Sequence, residues 1–187
     1  SLSDAVWIPF ADFFKRPGAL TTLAFVTLFK LGDYLASTMT TTFLITVQFS
    51  NTEIGALNKW LGLVATIVGV VVGGGLADRF GVRRALMMFG ALQALTNVGY
   101  LVIAVVGKSY LALVLAIAID QFCGGLATAA FTAFLMSLCR REFSATQFAL
   151  LSSAATIIGR LLGAFSGYLI EAVGWAGFFA LTMAIAI

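Results

Sequence analysis

Apolar residues fill six blocks along the chain, at about 19–47, 55–77, 85–106, 109–138, 144–172 and 175–187. Each of the first five is long enough to cross roughly 30 Å of hydrocarbon at about 1.5 Å per residue. The sixth holds only the 13 residues after Gly174 and reads as a span cut short. Bundled helices are predicted, because a helix satisfies its own backbone polar groups where no water can. The joints fit this reading. Ser50-Asn51-Thr52-Glu53 and Ser144-Ala145-Thr146-Gln147 both have the capping-box spacing that starts a helix, and Gly107 and Gly174 suit helix exits. Ahead of the first block, Val6, Trp7, Phe10, Phe13 and Phe14 recur at helical spacing among Asp4, Asp12, Lys15 and Arg16. That pattern predicts an amphipathic lead-in helix lying in the membrane interface over 1–18. A six-span bundle then follows over 19–187.

Composition strengthens the membrane reading. Hydrophobic residues make up 61% and charged residues 10% of the chain, where soluble domains carry about 25% charged residues. Lipid must cover the apolar surface that so few charges leave exposed, so the bilayer is the first partner. The ends, at Ser1 with no methionine and at Ile187 inside an apolar run, lead us to expect a piece of a longer protein. The basic residues divide unevenly between the joints: Lys15, Arg16, Arg79, Arg83, Arg84, Arg140 and Arg141 fall on one side, Lys59 and Lys108 on the other. The first side is predicted to be cytoplasmic, and with it the lead-in segment and the 78–84 loop.

Some chemistry is excluded. The chain has no histidine, no paired-acid protease motif and no nucleophile beside a base, so enzyme function is not expected. Cys123 and Cys139 are 16 residues apart on one predicted helix, about 24 Å, too far to bridge. No metal site, cofactor or nucleic-acid partner is expected.

Between the second and third blocks stands "GGGLADRFGVRR", residues 73–84. Glycines there allow two helices to approach, and Gly81 allows a tight turn. Asp78 can accept from arginines or from a nearby helix N-terminus, forming a latch. The segment resembles the Gly-x-x-x-Asp-Arg-x-Gly-x-Arg-Arg loop of the major facilitator superfamily, matched at Gly74, Asp78, Arg79, Gly81, Arg83 and Arg84. The resemblance implies a twelve-span carrier built of two six-span halves, of which this chain is one.

Four charges lie near the middle of the spans: Lys30 and Asp33 in the first, Asp120 in the fourth, Arg160 in the fifth. Each is expensive in hydrocarbon. Polar stripes accompany them: Ser37 and Thr41 follow Lys30 and Asp33 at helical spacing, Gly124, Thr128 and Thr132 follow Asp120 and Gln121, Thr156 precedes Arg160 by one turn, and Gln93 and Asn97 are one turn apart in the third span. Several wet helix faces predict a shared midplane cavity. The competing interpretation is a set of buried structural ion pairs, since Lys30 and Asp33 can neutralise each other on one helix. Gly159, Gly163 and Gly167 in span five, and Gly69 and Gly73 in span two, form small-residue ridges for close helix contact.

A closer resemblance runs through "KLGDY", "TTTFLI", "NKWLGLVATIVG", "CGG" after Asp120, "SATQFALLSS" and Gly159-Arg160. These stretches are similar to the second half of the bacterial muropeptide permease family. One departure is "IDQFCGG", where a glutamate and an asparagine would be expected near Asp120 and Gln121. The resemblance implies a proton-driven importer in the bacterial inner membrane, acting with an N-terminal six-span half. Its cargo would be N-acetylglucosaminyl-1,6-anhydro-N-acetylmuramyl peptides from cell-wall turnover. On that basis Lys30, Tyr34, Asn97, Gln121 and Arg160 are the candidate substrate-binding residues, and Asp33 and Asp120 the candidate proton carriers. A carrier of another anionic solute, such as acetyl-coenzyme A, and a non-transporting membrane scaffold are the alternatives.

Overall fold

A computed structural model describes residues 7–8, 11–15 and 17–186 of the chain, with side chains described to residue 184. Of the lead-in helix predicted over 1–18, residues 7–8 and 11–14 are helical; Asp4, Val6, Phe10 and Arg16 lie outside the described residues. Six long helices follow: α1 (Ala19–Thr46), α2 (Asn51–Phe80), α3 (Val82–Val106), α4 (Tyr110–Leu138), α5 (Ser144–Gly163) and α6 (Ser166–Ala186). Their length and composition suffice to cross a membrane.

The helices begin and end where local chemistry dictates, with two differences from the sequence reading. Ser50 caps α2 as expected: its hydroxyl accepts from the Glu53 N–H at 3.2 Å, and the Glu53 carboxylate accepts from the Ser50 N–H at 2.7 Å. The second capping box does not form. Phe143 takes the cap position of α5 without a side-chain bond, and Gln147 is drawn elsewhere. Its Oε1 accepts from the Arg140 N–H at 2.9 Å and its Nε2 donates to Asp12 at 3.1 Å. A buried amide with two better partners does not reach back to a cap.

The fifth block bends before it ends. Ala164 N–H still donates to the Arg160 carbonyl, but Phe165 N–H reaches back only to Leu162, and the i→i−4 ladder resumes with Leu169 N–H on Phe165, so the block divides into α5 and α6 at 164–165. A second break comes at Gly174, the predicted exit, with φ 71 and ψ 175, a region open in practice to glycine alone. Residues 175–186 then carry Phe178 and Phe179 into the bundle, where both are buried.

Two apolar cores stack along the bundle. One joins Val26, Phe89, Leu126 and Phe131 with Phe13 of the lead-in segment. The other joins Leu35, Phe43, Tyr100, Ile117, Phe178 and Phe179. On α1, α3 and α4 alike, a short polar stretch falls between the two: Lys30 and Asp33, Gln93 and Thr96, Asp120. The cores therefore clamp a polar layer from both sides.

Glycine seams set how closely the helices approach. A Cβ on Gly69 would run into the Phe122 carbonyl oxygen, and one on Gly73 would stand 2.8 Å from Leu126 Cα. On the other side of α1, Gly159 packs against the Tyr34 ring and Gly163 faces Thr38. Gly69→Leu is expected to lower stability by about 2–3 kcal/mol, since overpacking against backbone has nowhere to relax. Gly75→Ala, where a Cβ meets nothing within 4 Å, should leave it unchanged or slightly raised. Thermal unfolding in detergent checks both; equal midpoints for the two variants would refute the seam.

Candidate functional site

α1, α2, α3 and α4 enclose an open cleft of about 350 Å³, lined by Lys30, Asp33, Tyr34, Ser37, Thr66, Gln93, Asp120, Gln121, Gly124 and Thr128. Three of the four midplane charges meet on its wall. Lys30 Nζ lies 2.9 Å from Asp33 Oδ2, one turn along α1. The Lys30 ammonium also sits over the Phe131 ring, 5.6 Å from its centre, a second source of stabilisation for a desolvated cation.

Asp120 has no basic partner among the described residues and is held by three donors instead. Gln93 Nε2 donates to its Oδ1 at 3.0 Å, the Thr96 hydroxyl lies 2.6 Å from the same oxygen, and the Tyr100 hydroxyl donates to Oδ2 at 3.1 Å. The Thr96 hydroxyl also lies 2.7 Å from the Gln93 carbonyl; its single hydrogen favours the charged acceptor. The same Gln93 Nε2 donates to Asp33 Oδ1 at 3.0 Å. One side-chain amide thus ties the acid of α1 to the acid of α4. All donors to Asp120 come from α3, at positions i, i+3 and i+7, which keeps them on one face.

The other candidates are placed differently. Tyr34 lines the cleft, and its hydroxyl donates to Thr156 Oγ1 of α5 at 3.1 Å. Gln121 lines it as well and lies against Gly62. Asn97 is buried and faces a crevice of about 10 Å³ beside Phe29, Gly90 and Ala127, not the cleft. Four residues advance a helix by slightly more than one turn, and that excess rotation carries Asn97 behind Gln93. Arg160 does not join the cluster. It is exposed, its side chain makes no hydrogen bond or ion pair among the described residues, and it is not among those lining the cleft. Gly159 takes the contact with Tyr34, which turns the next residue about 100° away.

At the far end of α2, Gly81 makes the turn into α3 with φ 84, and Asp78, Arg79, Arg83 and Arg84 are all exposed. A Cβ on Gly74 would meet nothing within 4 Å. No ion pair joins Asp78 to these arginines in this conformation, so any latch they form engages something else or another state. Thr96 and Tyr100 were not singled out in the sequence. Their signal was the spacing from Gln93, which puts three hydrogen-bonding side chains on one stripe.

Residues 23–187 match the family described as Major Facilitator Superfamily. The chain belongs to that superfamily. The loop at 73–84 lies within the matched stretch, as does the six-helix bundle apart from the first four residues of α1. Over its full length the chain is 45% identical to the anhydromuropeptide permease of Escherichia coli (strain K12), of which it covers 38%. It is 37% identical, over 96% of its length, to the putative transporter AmpG 4 of Rickettsia conorii, covering 43% of that protein. An uncharacterized protein of Haemophilus influenzae is 35% identical over 94% of the chain. The chain spans about two fifths of the length of these relatives, which accords with a six-span half of a twelve-span fold.

Lys30 and Asp33 are the most direct test of the site's electrostatics. Their side chains are 15% and 30% exposed, so the pair falls between surface and fully buried behaviour. Lys30→Met is expected to destabilise by about 2 kcal/mol, because it strands Asp33 without its cation. Lys30→Met with Asp33→Asn should recover most of that loss. Thermal unfolding of Lys30→Met, Asp33→Asn and the double variant measures the coupling; strictly additive effects would show that the ion pair contributes nothing.

Proposed function

We propose that this chain is one half of a proton-coupled secondary transporter that imports anhydromuropeptides across the bacterial inner membrane, with the lead-in segment and the 78–84 loop in the cytoplasm. The observation that carries the reading is the Lys30–Asp33–Gln93–Asp120 network, drawn from three helices and opening on a polar cleft. The names of the relatives supply the cargo: permeases of this type act on anhydromuropeptides, whose peptide carboxylates suit Lys30 and whose sugars suit Gln121 and the Tyr34 ring.

In this reading the function is movement of a solute, not its chemical conversion. Anionic cargo competes for the Lys30 ammonium. Asp33 then exchanges its ammonium partner for a proton, and Asp120, joined to it through Gln93, shares in that exchange. Inward proton flow is thereby tied to import, with each charge moved across 100 mV contributing about 2.3 kcal/mol. Arg160 stands outside the cluster in this conformation, and we place it as a cargo contact reached in another state. The N-terminal half supplies the opposite wall of the cavity.

Asp120→Asn and Asp33→Asn separate transport from coupling. In vesicles holding the whole transporter, the Asn variant of the acid that carries the proton should exchange labelled anhydromuropeptide across the membrane yet fail to concentrate it under an acid-outside gradient. Normal accumulation by both variants would make the acids structural partners only. Competition by excess acetyl-coenzyme A in the same assay should be weak; strong competition would move the cargo assignment to that class. Asp78→Asn is expected to slow turnover while leaving cargo affinity nearly intact, because the loop lies far from the cleft. An affinity loss at unchanged turnover would count against a conformational role.

A further inference from the structure

Gln93 is the one side chain among the described residues that hydrogen-bonds both candidate proton carriers, and its own oxygen is left over. Nε2 has two hydrogens, and each goes to a carboxylate at 3.0 Å, one to Asp33 and one to Asp120. The two accepting oxygens are therefore within about 6 Å of each other by simple geometry. Oε1 is buried with no hydrogen-bond partner and lies against Gly124. A stranded buried acceptor is disfavoured, and the site tolerates it here for an electrostatic reason. The reversed amide would aim its oxygen at two negative charges.

That balance changes when a proton arrives. The cluster holds two carboxylates and one ammonium, so one added proton brings it to neutrality. The protonated carboxyl is a donor and needs an acceptor. Asp120 is already met by donors from Thr96 and Tyr100, and Asp33 by Lys30. Gln93 Oε1 is the acceptor at hand without one. A partial turn of the amide presents Oε1 to the protonated acid and keeps one Nε2 N–H on the acid that stays charged.

We infer that Gln93 is the positioning residue that joins Asp33 and Asp120 into one proton-binding unit, its amide turning when the unit takes a proton so that Oε1 receives the carboxyl O–H while Nε2 stays on the other acid. The proton enters from water in the cleft onto a carboxylate oxygen, and no other covalent bond changes. The ionisable groups around the amide are Lys30 and Asp33 from α1, Asp120 from α4 and Tyr100 from α3 itself. Buried Cys123 stands nearly one turn beyond Asp120 on α4. From α6, Phe179 stacks on Tyr100 with ring centres 5.5 Å apart and adds no charge. The inference rests on the proton-coupled reading and goes beyond it by assigning how the two acids communicate.

Gln93→Met keeps the length and removes both donor and acceptor; Gln93→Glu keeps the shape and replaces the donor end with oxygen. Both are introduced into the full-length transporter in vesicles, with labelled anhydromuropeptide as probe. Three quantities are read: exchange without a gradient, accumulation under an acid-outside gradient, and the protonated-carboxyl band in infrared difference spectra between acid and neutral pH. Gln93→Met should lose accumulation by about tenfold or more beyond any change in exchange, the effect of one to two charge-assisted hydrogen bonds. Its carboxyl band should shift, because the O–H has lost its amide acceptor. Gln93→Glu should also lose accumulation, with a stronger carboxyl band from the added acid. Wild-type accumulation and an unmoved band in both variants would overturn the inference while leaving proton-coupled transport standing. So would equal loss of exchange and accumulation with an unmoved band, the mark of a merely structural amide. If the unaltered protein fails to accumulate cargo under the gradient, the transport reading fails and this inference falls with it.

Discussion

Three ionisable side chains stand in the middle of an apolar bundle, and their formal charges do not cancel. Lys30 neutralises Asp33 across one helical turn, but Asp120 has only neutral donors. A lone carboxylate in such a place is costly to hold. The structure meets that cost by converging an amide, a threonine and a tyrosine of α3 on it. This requirement explains the polar stripe of α3, the two apolar cores that hold it in register, and the opening of the layer onto a cleft. A site meant only for stability would be simpler with apolar residues. Asp120 instead keeps its charge uncancelled on the wall of an open cleft.

The glycine seams make the convergence geometrically achievable. α2 and α4 approach closely because Gly69, Gly73 and Gly125 carry no side chain between them, and α1 and α5 do so at Gly159 and Gly163. Lipid offers little hydrophobic incentive for helices to associate, so contact distance and dispersion decide. Close pairs on either side leave α1, α2, α3 and α4 to define the cleft.

A second polar cluster anchors the lead-in segment. Asp12 pairs with Arg140 at 2.9 Å and accepts from buried Gln147, whose oxygen receives the Arg140 N–H. The segment before α1 is thereby fastened to the joint between α4 and α5. The same network explains the missing capping box at Ser144, since Gln147 is engaged where three elements meet.

The sequence by itself determined what depends on one helix at a time. The lengths of α1 to α4 follow from apolar runs, the break at Gly174 from a conformation only glycine adopts, and the Lys30–Asp33 pair from their spacing on one turn; the joint at 164–165 inside the fifth apolar block did not show in the pattern. It also placed Asp120 and Arg160 at the same depth, because depth is a count of residues from a helix end. Tertiary structure decided which of those charges meet. The azimuth of each helix about its axis is set by its neighbours, here by glycine contacts and aromatic cores, and a rotation of about 100° separates adjacent residues. That rotation gives Asp120 the Gln93 amide and the Thr96 and Tyr100 hydroxyls, turns Arg160 away, and hides Asn97 behind Gln93. Residues from separate helices share a site only after every helix has chosen its face, and that choice is collective.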